Sequence, residues 1–342
     1  MAQRKAWLDY LKFIAMFLVV VYHTPPRYDN AHEAALFNMG APVFFFAAGY
    51  LFSIAGQKDF VSFLFHRAKQ ILVPYTTFFI IFYALWLVVG RRMAGPEELE
   101  IDTLLPLWQF IKGTPDVVLG PFWFLAALFT MQLIYYPISR YLRGHWPLII
   151  SVLLSLSLFI MPDVPAFRYW NLDKALLYMP IYAVGNCCRP LVDRFQFSAA
   201  RPSLLWLLLA VLGLGFLIVA PLWIDRRYVD VPYVLAPMAV ILVLPLYTSV
   251  CKWLEQHCGT SGIAQTVAIT GITYLALQNY LIGIIKMLIA RIAGPSTFDD
   301  NLLLKVAIAV AVMMILYPLA LFVEHYMPFL LGKPFKTKSN KP

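Results

Sequence analysis

Charge is scarce in this chain: 13% of its 342 residues are Asp, Glu, Lys or Arg, while 61% are hydrophobic. Soluble domains carry about 25% charged residues. The shortfall excludes a water-facing globule and leaves lipid as the expected solvent. Cysteine is scarce as well. Cys187, Cys188, Cys251 and Cys258 have no metal-ligand spacing with partner histidines. Cys187 and Cys188 are sequence neighbours, between which a bridge is strained. Free thiols are therefore expected, not a disulfide scaffold. His32, His66, His145, His257 and His325 fall in loops or at the ends of apolar runs and make no two-in-one-turn pair, so no metal is expected. There is no Gly-rich phosphate loop and no Gly-x-Ser-x-Gly elbow. There is also no internal repeat, which weighs against a transporter with two-fold symmetry. No cleavable signal peptide is evident: the first apolar run carries Asp9 and Lys12, and no small-residue cleavage site follows it.

What the chain has instead is apolar runs, over 7–23, 35–55, 71–90, 121–141, 146–161, 175–187, 203–224, 232–250, 268–289 and 301–323. Pro25 and Pro26 close the first. At about 20 residues per span, ten spans use about 200 residues. That leaves loops but no separate soluble domain. The expected fold class is all-α, a polytopic membrane helix bundle of about ten transmembrane helices. One membrane domain would cover 1–332, with a short basic tail at 333–342. With the N-terminus inside, about fifteen Lys and Arg fall on the cytoplasmic side and about nine outside. Both termini are then cytoplasmic. The net charge of +9 is read as this orientation signal plus contact with membrane lipids, and not as a nucleic-acid surface. The longest outer loop, 91–120, carries Glu97, Glu98, Glu100 and Asp102 and is expected to cover an external site.

The first span is unusual in carrying Asp9, Lys12 and His23. Ionisable groups inside a bilayer are costly and are functional candidates. From Lys12 to His23 is eleven residues, about 20° beyond three full turns and about 16 Å along a helix axis. Asp9 lies three residues before Lys12, on the same stripe and within reach of a pair with it. A polar stripe on an apolar rod faces the bundle interior or a wet cavity. His23 stands at its outer end, where an imidazole can act as a general base or merely cap the helix.

These residues sit in a longer pattern. Leu8-Asp9-Tyr10-Leu11-Lys12-Phe13-Ile14-Ala15, then Val19-Val20-Val21-Tyr22-His23, resembles the opening of the acyltransferase family 3 membrane proteins. That family carries Arg or Lys, ten residues, then His. Ala41-Pro42-Val43-Phe44-Phe45-Phe46 with Gly49-Tyr50-Leu51-Phe52 resembles its Pro-x-Phe-Phe…Ser-Gly-Tyr segment, with Ala48 at the Ser position. Phe65-His66-Arg67-Ala68-Lys69-Gln70 is similar to its basic segment before the third span, with Gln70 where a second Arg is common. Phe122-Trp123-Phe124-Leu125 resembles its Trp-Phe-Leu opening of the fourth span. In a late span the family's Ile-Tyr-Leu-x-His has no histidine counterpart beside Thr273-Tyr274-Leu275-Ala276-Leu277-Gln278-Asn279.

The resemblance implies about ten membrane helices in a bacterial inner membrane and transfer of an acyl group, commonly acetyl. The donor is acetyl-CoA or another acyl-CoA from the cytoplasm. The acceptor is a hydroxyl of an extracytoplasmic cell-envelope polysaccharide or lipid-linked saccharide. On that reading His23 is the base, or the carrier of a covalent acyl group, and Lys12 and Asp9 complete the catalytic stripe. Arg67, Lys69 and Gln70 face the cofactor, and Trp123 stacks on the saccharide or on the cofactor. Asn279 and Gln278, polar groups inside an apolar span, are expected to line the same cavity, with Asn279 as the saccharide contact, or else to hydrogen-bond between helices. A succinyl donor would want a further cation near His23, for which Arg27 is at hand in sequence. The competing reading is a proton-coupled carrier or flippase for an anionic lipid-linked sugar or small molecule, using the same stripe.

Overall fold

The computed structural model describes residues 4–24, 39–56, 58–93, 99–160, 165–194, 230–294 and 302–333, with a few positions in 208–215. All regular elements among them are helices. The main ones are α1 (Ala6–His23), α2 (Gly40–Tyr50), α3 (Phe60–Leu85), α4 (Leu105–Lys112), α5 (Trp123–Tyr141), α6 (Trp146–Ile160), α7 (Leu172–Cys187), α8 (Arg189–Arg194), α9 (Asp230–Cys258), α10 (Gly262–Ala293) and α11 (Leu302–Tyr326). Among the described residues, five stretches are long and apolar enough to cross a membrane: Ala6–His23, Phe60–Gly90, Asp116–Tyr141, Gly262–Ala293 and Leu302–Tyr326. Gly40–Tyr50 and Trp146–Leu158 are shorter apolar helices. The expected span 203–224 lies largely outside the described residues, as do Arg27 and the tail at 334–342.

The exposed surface supports lipid as solvent. Leu303 is 83% exposed and Ile292 87%, in the company of Ile80, Val88 and Met314. A row of such side chains is unfavourable in water but ordinary against hydrocarbon.

Local chemistry sets the helix ends. Asp59 caps α3, its carboxylate accepting from the Ser62 N–H at 2.7 Å. This start extends the helix eleven residues ahead of the expected span at 71–90, and Pro74 is carried inside it. Ser261 caps α10 in the same way, and Gly113 in the left-handed region ends α4.

α1 is the hub, packing on α2, α9, α10 and α11. It joins two aromatic-rich cores, one among α2, α5 and α7 and the other among α3, α5, α10 and α11. Small residues allow close approach. A Cβ on Gly49 would stand 1.9 Å from the Tyr182 carbonyl oxygen, and one on Gly185 2.3 Å from that of Phe46. The α2–α7 contact is therefore backbone on backbone, as in tightly crossed membrane helices. Ala6 N–H donates to Glu255 at 2.8 Å, which places the start of α1 beside the last turn of α9. The bundle thus has a Lys5 end and a His23 end.

Candidate active site

Along α1 the polar stripe divides into separate parts. Asp9 is not paired with Lys12, as its spacing suggested. Arg4 instead grips it with both arms of its fork, Nε to Oδ2 at 2.7 Å and Nη2 to Oδ1 at 2.9 Å. A guanidinium matches both carboxylate oxygens, whereas an ammonium meets one at a time. Arg4 lies just before the helix, so the helical face arithmetic gave no sign of it. Lys12 is half-buried and takes part in no ion pair among the described residues.

His23 is the last residue of α1, edge-on to the Tyr22 ring at 5.3 Å. It opens on a cavity of about 190 Å³ whose wall includes Phe44, Trp123, Lys174, Tyr178 and Leu275. Two elements far apart in sequence are thereby brought to the end of α1. Trp123, the first residue of α5, is one of the expected site residues. It stacks on Tyr178 at 6.1 Å between centroids, and Tyr178 stacks on Phe45 at 4.8 Å. The Lys174 ammonium lies 4.7 Å from the Trp123 ring centroid. This ring is engaged by its own chain, as a cation platform.

Lys174 was not foreseen. It sits in the first turn of α7, where the helix dipole disfavours a cation. The backbone ahead of it is strained. Trp170 and Asn171 both have left-handed φ, 54° and 48°, a conformation that costs non-glycine residues energy and persists only where neighbours fix it. The fixing contacts are present. Thr130 Oγ1 donates to the Trp170 carbonyl at 2.9 Å, and Asn171 Nδ2 donates to the Gly113 carbonyl at 2.5 Å. Lys174 Nζ then donates to Asn171 Oδ1 at 2.9 Å. The described part of the 91–120 loop therefore braces this site from the side, through Gly113.

Toward the Lys5 end, Arg67 lies on α3 with its guanidinium 5.3 Å from the Phe63 ring centroid and 5.9 Å from that of Phe52. Its Nη1 donates to Gln70 Oε1 at 3.0 Å. Its Nε is buried without a partner, as are Tyr182 Oη and Gln132 Oε1. Tyr182 packs on Phe52 as well, at 5.7 Å, so two of these unpaired polar groups flank one ring. Lys69 is exposed, about 200° around the helix from Arg67. It therefore lies on a different face of α3 from Arg67. Asn279 is exposed and absent from the cavity wall. The buried position is one residue earlier: Gln278 is 0% exposed, with neither amide atom hydrogen-bonded. About 100° per residue separates the two faces.

A membrane helix bundle thus places a histidine and a lysine on one cavity, with a second lysine, in no ion pair among the described residues, further along the histidine's helix. The chain matches the family described as an acyltransferase domain over residues 5–323, nearly its whole length. It belongs to the acyltransferase family 3 membrane proteins, as its N-terminal motifs suggested, and is a membrane acyltransferase. No curated protein and no solved structure matches it.

Proposed function

We propose that this chain moves an acyl group, acetyl in the first instance, from cytoplasmic acyl-CoA to a hydroxyl of an extracytoplasmic or lipid-linked envelope saccharide. The membrane is a bacterial inner membrane, with both termini cytoplasmic. The observation that carries this reading is the shared cavity of His23, Trp123 and Lys174, at the far end of the helix that bears Lys12.

Arg67 and Lys12 attract the anionic part of the donor. Arg67 keeps a buried Nε for a further acceptor, and Lys12 forms no ion pair among the described residues. The donor's extended arm follows α1 over the roughly 16 Å from Lys12 to His23. At His23 the imidazole takes the proton of the saccharide hydroxyl as that oxygen attacks the thioester carbonyl. The tetrahedral intermediate collapses with cleavage of the C–S bond. The imidazolium returns its proton to the thiolate, so CoA leaves as the thiol and the ester stays on the sugar.

The test uses membranes holding equal amounts of wild type and His23→Ala, supplied with radiolabelled acetyl-CoA and host envelope glycans. Transfer is expected to fall about 10²–10⁴-fold in the variant. Equal labelling by both would remove His23 from the chemistry. No labelling by either, with succinyl-CoA also tried, would favour the carrier.

A further inference from the structure

The charged group in the His23 cavity that the transfer step does not use is Lys174. We propose that Lys174 is a specificity-determining cation, and that the acceptor is an acidic saccharide whose carboxylate it holds while a neighbouring hydroxyl meets His23. The proposal deepens the acyltransferase reading and rests on it for the identity of the cavity.

Four observations converge. The contacts of the Lys174 ammonium are neutral, the Asn171 amide oxygen and the Trp123 ring. Asp173 and Asp116 act on it through space, but it forms no ion pair among the described residues. A half-buried cation held by neutral groups keeps its attraction for an anion that arrives with a ligand. Next, its position in the first turn of α7 sets it at the positive end of a sixteen-residue helix, an end that Asp173 in the same turn offsets in part. A lysine there is unfavourable for the helix alone, and the combination favours an anion. Third, the segment that aims it is strained at Trp170 and Asn171 and pinned by Thr130 and Gly113. Strain of that kind collects where a precise placement matters. Last, the half-buried cation lines the cavity of the candidate base.

The acceptor is the better source of the carboxylate. Lys174 comes from α7 and is held against Trp123 of α5, whereas the donor's thioester would arrive along α1. A dicarboxylic acyl group such as succinyl is the other source of the same chemistry.

The first experiment is binding without donor. Purified wild type, Lys174→Gln and Lys174→Arg are titrated with short oligosaccharides of glucuronic, galacturonic or mannuronic acid and with their neutral hexose counterparts. Wild type is expected to bind an acidic probe at least about tenfold more tightly than its neutral partner, the scale of a charge-assisted hydrogen bond. Lys174→Gln brings that ratio close to one, and Lys174→Arg restores most of it. Matched thermal midpoints for the variants exclude a folding defect, and if Lys174→Gln fails to fold the Lys174→Arg ratio decides. A wild-type ratio near one for every pair, or a ratio that Lys174→Gln leaves intact, overturns the proposal.

The second arm measures labelled transfer, from acetyl-CoA to the acidic probes and from succinyl-CoA to the neutral ones. A Lys174-dependent preference confined to the succinyl donor overturns the acceptor assignment. Lys174-dependent binding of the acidic probe with no transfer from either donor would sink the acyltransferase reading while the cation site stands.

Discussion

At the Lys5 end of the bundle, charges are matched within the chain. Arg4 grips Asp9, Lys5 meets Asp193 at 2.5 Å and also Tyr50, and Glu255 accepts from the first N–H of α1. Arg189 lies over the Tyr50 ring, and Lys252 donates to the Val192 carbonyl. These contacts tie the start of α1 to the ends of α2, α8 and α9. At the His23 end the cation has neutral contacts, a strained backbone beneath it and a cavity in front of it. Lys12 and the Arg67 Nε, inside the bundle, resemble the second case. Charges already paired within the fold serve its geometry. Charges left unpaired in an apolar setting are costly to keep and point to a ligand.

The widest separation between these cases should come from charge-removing variants. Lys12→Met and Arg67→Met are expected to raise KM for acyl-CoA about tenfold or more, the scale of a lost hydrogen bond to a charged group. Their melting temperatures should not fall, because neither cation forms an ion pair among the described residues, and Gln70, which loses its bond from Arg67, is exposed to solvent. Asp9→Ala does orphan a partner, Arg4, and is expected to lower the melting temperature. A Lys12→Met protein that melts early yet keeps its KM would place Lys12 with the structural charges and break the comparison.

A smaller effect is expected at Gly113. Its φ is +79°, and a Cβ there would stand 2.7 Å from the Trp170 Cα. Gly113→Ala should cost about 1–3 kcal/mol of local stability and displace the carbonyl that holds Asn171. The predicted signature is a raised KM for the acceptor with the KM for acyl-CoA little changed, read in the same labelled-transfer assay. An equal rise in both would mean that the strained segment supports the whole bundle and not the Lys174 site.

Much of this was legible in the sequence, and the gaps have physical causes. The helices and their lipid-facing character followed from apolar runs. That His23 stands at the opposite end of α1 from Asp9 and Lys12 followed from helical rise, and Trp123 and Arg67 were reached through their motifs. The partner of Asp9 was missed because a face analysis of one helix does not see a long side chain reaching in from beyond its end. Asn279 and Gln278 are both polar and adjacent, and only the packing against neighbouring helices tells that Gln278 is the one that faces inward. Lys305, 2% exposed on α11, passed unremarked inside an apolar run. Lys174 passed as one of the outer-loop positive charges. It stands one residue ahead of the expected span at 175–187, and only the earlier helix start at Leu172 puts it in a first turn, against the helix dipole. The left-handed φ at Trp170 has no local sequence mark, whereas Asn171 is of the residue type that adopts it most readily after glycine.

The smallest effect concerns the paired end, and its sign can be worked out. Burial pushes the Asp193 carboxyl up. The hydrogen bonds from Lys5 and Tyr50, with the charges of Lys5 and Arg189, outweigh it and hold the group below the usual carboxylate range. Burial pulls Lys5 down, and the same contacts with Asp193 and Tyr50 outweigh it and raise the ammonium above its ordinary value. The Asp193 contribution is therefore complete above about pH 4 and is lost as pH falls through its depressed folded value. The Lys5 contribution is complete below about pH 10 and is lost as pH rises through its raised folded value. Both side chains are 37% exposed, so solvent screening limits the pair to under about 1 kcal/mol. Thermal midpoints in detergent should thus be flat between these limits. Asp193→Asn should lower that plateau slightly and lose part of the acid limb, with transfer at the His23 end keeping its KM values. An acid limb identical in Asp193→Asn and wild type would show that the Lys5 contact is not what fastens α1 to α8.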